Sequence, residues 1–234
     1  MTGLKSLSCL ATLLLPLLMF GAPPAQAKCS DAPAPKVDWT KCDKEKKILR
    51  GQDMSGGIFE RADLSLSNLS GSTLTGARLE RATLNGTRFQ GADLTGADLS
   101  KALGSRADFE AAKLARATLS KGEFPRAIFA GADLTGADLS KAEFGRAALR
   151  DAILEGADLS YANLARADLG GARLAGAELT GVYTLLTRIE GSDLSGVLGL
   201  TQQQLDIACG DGATKLPEGL ARPADWPCSP AEEE

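Results

Sequence analysis

From Met54 to Leu194 every fifth residue is apolar, with Gly104 and Thr184 as the two exceptions. Leu64, Leu69, Leu74, Leu79, Leu84, Phe89, Leu94 and Leu99 show the beat, and 27 of the 29 slots keep it. Two residues before almost every slot stands a small residue, and Ala fills 20 of those 29 places. A period of five is neither the 3.6 of a helix nor the 2 of a strand. It is the beat of a solenoid, in which each short unit buries its apolar pair only by stacking on its neighbours. Each unit then points one large and one small side chain inward and leaves three positions for water.

Ala92-Asp93-Leu94-Thr95-Gly96, Ala97-Asp98-Leu99-Ser100-Lys101 and Ala132-Asp133-Leu134-Thr135-Gly136 carry the theme in its cleanest form. In these units the chain resembles the pentapeptide-repeat family, A-(D/N)-L-x-x, over roughly residues 50–198. The resemblance implies an all-β solenoid, a right-handed quadrilateral β-helix with four units per coil. It implies a structural or protein-interaction role, with no enzyme activity and no cofactor. Some members of that family imitate DNA and bind topoisomerases. The physics agrees with a narrow square rod, because a branched side chain in the Ala position would overfill the interior. With coils about 4.8 Å apart, residues 51–198 make about seven coils and a rod about 35 Å long.

Sorting slots by a 20-residue coil gives four stacked columns. One holds Leu69, Phe89, Phe109, Phe129, Leu149, Leu169 and Ile189. The next holds Leu64, Leu84, Gly104, Phe124, Phe144, Leu164 and Thr184, so both exceptions share a face. Gly104 reads as volume compensation beside the Phe columns. Thr184 lies in Val182-Tyr183-Thr184-Leu185, where both inward roles fail, and that coil is expected to be distorted or frayed.

The ends depart from the repeat. Lys5, an apolar run from Leu10 to Phe20 and the small-x-small pair Ala25 and Ala27 describe a secretory signal peptide, residues 1–27, cleaved near Ala27. The run is short for a membrane span, so no stable membrane insertion is expected after cleavage. Loss of Cys9 with that segment leaves Cys29, Cys42, Cys209 and Cys228. An even count in an exported chain reads as two disulfides. A rod between the pairs favours Cys29–Cys42 and Cys209–Cys228 and keeps the four thiols from meeting around a metal. Residues 28–50 are expected to form a stapled N-terminal cap and 51–198 the β-helix. Residues 199–229 form a C-terminal helix with a stapled loop, and 230–234 an acidic tail. In the C-terminal part Thr201-Gln202-Gln203-Gln204 spells a capping box, with Leu200 and Leu205 placed as a hydrophobic staple for a helix over about 201–209.

Composition removes several functions. There is no His, so imidazole bases and His-based triads are absent, and no metal site is expected. The net charge is −4, and the repeat region holds 19 acidic and 16 basic residues, too balanced for a duplex mimic or a general nucleic-acid binder. The Asp columns, Asp53, Asp93, Asp133 and Asp193 on one face and Asp98, Asp138 and Asp158 on another, suit bonds to turn amides better than catalysis.

Texture remains only in outward columns. Arg61, Arg81, Lys101, Lys121 and Lys141 stack at one corner, and Arg106, Arg126, Arg146 and Arg166 at the next. The other two corners are mostly Gly. The basic columns form a candidate anion-binding ladder for an envelope polyanion or an acidic protein, unless nearby acids such as Asp108, Glu123 and Glu143 neutralise it. The Gly corners would allow self-association, although Gly also eases tight turns. The expected location is secreted or periplasmic.

Overall fold

A computed structural model describes residues 29–228. The chain winds as a right-handed quadrilateral β-helix in which parallel bridges climb one face from Asp38 to Leu198 in eight steps of 20 residues. One unit shows why the motif has its composition. Asp93 N–H donates down to Ser72 O (2.9 Å), Leu94 N–H up to Lys113 O (2.7 Å), and Gly96 N–H up to Ala115 O (2.9 Å). Ala97 N–H closes the turn on Leu94 O (2.9 Å). The one remaining amide, Thr95 N–H, is taken by the Asp93 carboxylate at 3.0 Å. All five donors are therefore satisfied, four by backbone and one by the acidic side chain, as a structure with such narrow walls requires. The same bond recurs at Asp53, Asp98, Asp133, Asp138, Asp158 and Asp193. The Asp columns are thus turn supports.

The interior is a stack of Leu and Phe with almost no solvent exposure. Phe89, Phe109 and Phe129 stack face to face, with ring centroids 4.9 and 4.7 Å apart. Phe124 and Phe144 fill the adjacent column and meet the first stack edge-on. Gly104 is the volume compensation expected: a Cβ there would lie 2.5 Å from the Phe124 ring. Gly122 serves the same ring from the other side, where a Cβ would approach to 2.4 Å. Where Ser or Thr replaces the inward Ala, the hydroxyl donates to a carbonyl 23 residues back. Ser67, Ser72, Thr87, Thr187 and Ser192 all do so, at 2.6–2.8 Å. Buried hydroxyls therefore cost little here.

The coil register already runs at Val37 and Asp38, ahead of residue 51, so residues 37–50 are a coil as well as an end. Trp39, Lys44 and Leu49 occupy its inward slots and are buried. Lys44 Nζ lies 3.6 Å from the centre of the Trp39 ring and donates to Cys29 O at 2.7 Å. Burial, helped by nearby Lys47, pushes the Lys44 ammonium below the usual lysine range, against the pull of Asp31. Counting back in fives from Met54 reaches Leu49, Lys44 and Trp39, a signal hidden by the charge on Lys44.

At the far end the expected distortion lies one coil later than the sequence suggests. Tyr183 bridges Asn163 in register, and Arg166 N–H reaches Leu185 O at 2.8 Å. The irregularity begins above it, where bridges lengthen to Arg188↔Cys209 and Asp193↔Lys215. There a single short helix, α1 (Gln202–Asp206), replaces one wall of the next coil. Its capping box is formed by Thr201 and Gln204, and Leu205 is buried. It is shorter than the 201–209 expected. Gln204 Nε2 donates to Leu179 O and Val182 O, and Thr184 Oγ1 donates to Gln204 O at 2.7 Å. Thr184 thus gives up an apolar slot to hold the helix, and a cavity of about 20 Å³ remains beneath it. Trp226 closes the end, lying over Gly210 and donating to Ala208 O at 2.7 Å. The segment 1–27 and the tail 230–234 lie outside the described residues.

Candidate functional site: the cationic corners

Each turn needs a positive φ at its third residue, the conformation Gly adopts without strain. At two corners the chain supplies Gly: Gly71, Gly91 and Gly131 at one, and Gly76, Gly96, Gly136, Gly156 and Gly176 at the other, with φ of 61–70°. The turn explanation of the Gly columns therefore holds. Ala111, Arg116 and Asp151 interrupt those columns, and at the other two corners the same backbone mostly carries long cations. Arg61, Arg81, Lys101, Lys121 and Lys141 have φ of 55–59°, and so do Arg106, Arg126, Arg146 and Arg166. Lys41 and Lys46 extend the two columns toward the N-terminus, with φ of 57° and 56°. A side chain in the left-handed region costs roughly 1–2 kcal/mol relative to Gly. The two cationic corners flank one face, and the two Gly corners flank the opposite one.

The two corners differ in their surroundings. On the mixed Lys and Arg corner, Glu80 pairs with Lys101 at 3.0 Å and more loosely with Arg81 at 3.9 Å. Lys46, at the start of the other column, pairs with Glu45 at 2.8 Å. Arg106, Arg126, Arg146 and Arg166 have no acidic partner within 4 Å among the described residues, and neither do Arg61, Lys121 and Lys141. Among the described residues Asp108, Glu123 and Glu143 make no ion pair within 4 Å with a corner cation, although Glu123 and Glu143 stand on the face between the two columns. Glu143 accepts from Asn163 Nδ2 at 2.7 Å, and Asp108 accepts from the Glu110 amide at 3.0 Å. Other ion pairs, such as Arg150–Asp168 and Arg173–Glu155, lie on other faces. Beside the Arg column runs a shallow open groove floored by Ser105, Pro125, Gly145 and Ala165. Small side chains there leave the guanidinium groups free to fork onto planar anions.

The four cysteines sit at the two ends, Cys29 bonded to Cys42 and Cys209 to Cys228, each with a Cα separation of 5.4 Å. No group of three or more Cys, Asp or Glu side chains among the described residues is placed to hold a metal. No helix of the described residues is long and apolar enough to cross a membrane. Sequence reasoning missed three features: Lys44 as an end plug, Gln204 as a helix anchor, and an exposed apolar cluster at the end of the Arg corner. That cluster, Tyr183, Leu185 and Ile207, falls in outward positions and across the break in period, where no five-residue beat marks it.

Comparison with known proteins finds three similar solved structures of note. HetL, a pentapeptide repeat protein involved in heterocyst differentiation regulation in the cyanobacterium Nostoc sp. Strain PCC 7120, is 28% identical. The match covers 79% of this chain and 91% of HetL, with a TM-score of 0.49. A pentapeptide repeat protein from the Arabidopsis thaliana thylakoid lumen is 33% identical over 50% of this chain and 79% of its own, with a TM-score of 0.43. QnrB1, a plasmid-mediated fluoroquinolone resistance protein, is 20% identical over 77% of this chain and 90% of its own, with a TM-score of 0.41. No curated protein matches. The pattern described as Pentapeptide repeats matches in eight copies, over residues 49–81, 62–103, 105–140, 124–156, 142–181 and 152–197. With that match spread along most of the chain, and with the unit's hydrogen bonds accounting for its composition, this protein belongs to the pentapeptide repeat family.

Proposed function

We propose that this chain is an exported, non-enzymatic interaction rod that holds an extended anionic partner along its cationic side. The observation that carries this reading is the asymmetry of the corners. Eleven Lys and Arg residues take the left-handed corner position on this side, against only Lys36 and Arg116 on the side where Gly predominates, although the conformation disfavours any side chain. Columns of like charge one strand apart also repel one another, so an offsetting anion would stabilise them. Export is supported by the apolar N-terminal run with its small-x-small ending and by the two disulfides, which suit an oxidising compartment. The near balance of acids and bases disfavours a duplex mimic.

Retention on a sulfated or phosphorylated matrix tests the reading. We expect elution by moderate salt, because exposed ion pairs are screened, and loss of retention when Arg106, Arg126, Arg146 and Arg166 are changed to Glu. Retention indifferent to those reversals would remove the cationic side from the function. Export is tested separately, by the mass of the N-terminus recovered from the cell envelope, which should begin at Lys28.

A further inference from the structure

Resting on that reading, we infer that the Arg106–Arg166 corner and the apolar cluster above it form one docking strip for an extended acidic segment of a protein partner, anchored at one end by an apolar side chain. The two cationic corners are not equivalent. The Lys-containing corner is partly neutralised by Glu80, and it ends where the Tyr161 ring covers Gly181 closely enough to forbid a Cβ there. From Arg106 to Arg166 the Arg corner has no acidic partner within 4 Å among the described residues; Glu45 on Lys46 and Leu66 over Gly86 lie below that stretch. Its residues form an unbroken backbone ladder. Arg106 N–H donates to Pro125 O, Arg126 to Gly145 O, Arg146 to Ala165 O and Arg166 to Leu185 O, all at 2.8–3.0 Å. Leu186 N–H then donates to Ile207 O at 2.7 Å, so the corner runs without a break from the guanidinium groups into the apolar cluster.

There the chemistry changes. Leu185 is 38% exposed, Ile207 39% and Tyr183 48%, whereas the other exposed large apolar residues, such as Ile48, Leu66 and Ile128, are scattered along the rod. Tyr183 and Ile207 line the same depression, beside the exposed end of α1. A polysaccharide or an inorganic polyanion could use the guanidinium groups and would gain nothing from Leu185 and Ile207. A polypeptide can use both. The four Arg span three coil steps, about 14 Å, a length an extended chain covers in about four residues. Charge complementarity thus selects an acidic segment, and the cluster asks for a Leu- or Phe-like residue just past it.

The test uses the disulfide-bonded chain from Lys28 onward, titrated by fluorescence anisotropy with two labelled peptides. One is a run of six Glu followed by Leu-Phe, and the other is the same run followed by Ser-Ser. Polygalacturonate and vesicles containing phosphatidylglycerol are the competing probes. The Leu-Phe peptide should bind most tightly. Changing Leu185 and Ile207 together to Ser should lower its affinity about tenfold, to the level of the Ser-Ser peptide. Arg126→Glu with Arg146→Glu should lower both peptides by at least about tenfold. Lys113→Glu with Arg116→Glu, exposed on the opposite side of the rod, should change either by less than about threefold. An unchanged melting temperature in each variant keeps the comparison valid. Equal binding of the two peptides, or tighter binding of polygalacturonate or vesicles, overturns the strip and leaves the cationic interaction rod standing. If no probe binds and the Arg reversals change nothing, both fail.

Discussion

At the scale of single residues, the rod is governed by what may stand inside and what may stand at a corner. Phe124 fits only because Gly104 and Gly122 lack a Cβ on either side of its ring. Gly104→Ala should therefore destabilise the protein by about 1–3 kcal/mol, read as a lowered melting temperature. Shrinking the ring in Phe124→Leu should recover part of that loss in the double variant, whereas Phe124→Leu alone should destabilise through the void it leaves. The corners give the opposite kind of prediction. Arg126→Gly and Arg146→Gly relieve a left-handed side chain, so stability should hold or rise by up to about 1 kcal/mol. Retention on an anionic matrix should fall in the same variants. Loss of stability without loss of retention would show that these side chains serve the fold.

At the scale of elements, the five-residue beat made the coils legible, because burial in so narrow a rod leaves each inward position one chemical choice. The capping box was legible for the same reason, since Thr201 and Gln204 have a specific backbone role. Thr201→Ala should fray α1 at a cost of about 1 kcal/mol, seen as faster amide exchange over residues 202–208. What the beat hid was polar substitution for an apolar role. Lys44 plugs an end with its stem while its ammonium is spent on Trp39 and Cys29 O, and Thr184 trades packing for a bond to the helix. The last wall should show a pH dependence. Lys215 Nζ, and then the Ser195 hydroxyl and amide, hold the Asp193 carboxyl down to about 2, below its ordinary 3.8. The stabilisation this gives is complete above pH 3.8 and is lost as pH falls through about 2. Trp226 emission, followed in a Trp39→Phe background, should report loosening of the C-terminal closure in that window. Asp193→Asn should remove the step.

At the scale of the whole molecule, each coil touches only the next, so the middle is guarded by its neighbours and the ends by their closures. The two disulfides tie those closures down. Cys29–Cys42 keeps the carbonyl that Lys44 grips in place, and Cys209–Cys228 holds Trp226 over Gly210. Reduction should therefore raise amide exchange first over residues 36–50 and 189–215, while residues 97–156 stay protected until global unfolding. Uniform loss of protection would mean that the solenoid unfolds as one unit, with the staples contributing no local guard. The candidate site was legible in part. Charges recurring every 20 residues were visible once the coil length was known, but the left-handed backbone beneath them and the unpaired state of the Arg column are facts of three dimensions.

The satisfied five-residue unit has one more consequence, for how the surface is written into the chain. Because every unit closes its own turn, excising one whole unit, such as residues 112–116, should leave a chain that still folds. Everything downstream would then rotate by a quarter turn. Arg126, Arg146 and Arg166 would land above Lys101, and Lys141 would land on a Gly corner. The backbone ladder would survive and the interior would need repacking where Phe124 leaves Gly104, while the outside would be scrambled. The rod thus behaves like text read in a frame of four, indifferent to frameshift in its grammar and ruined by it in its meaning.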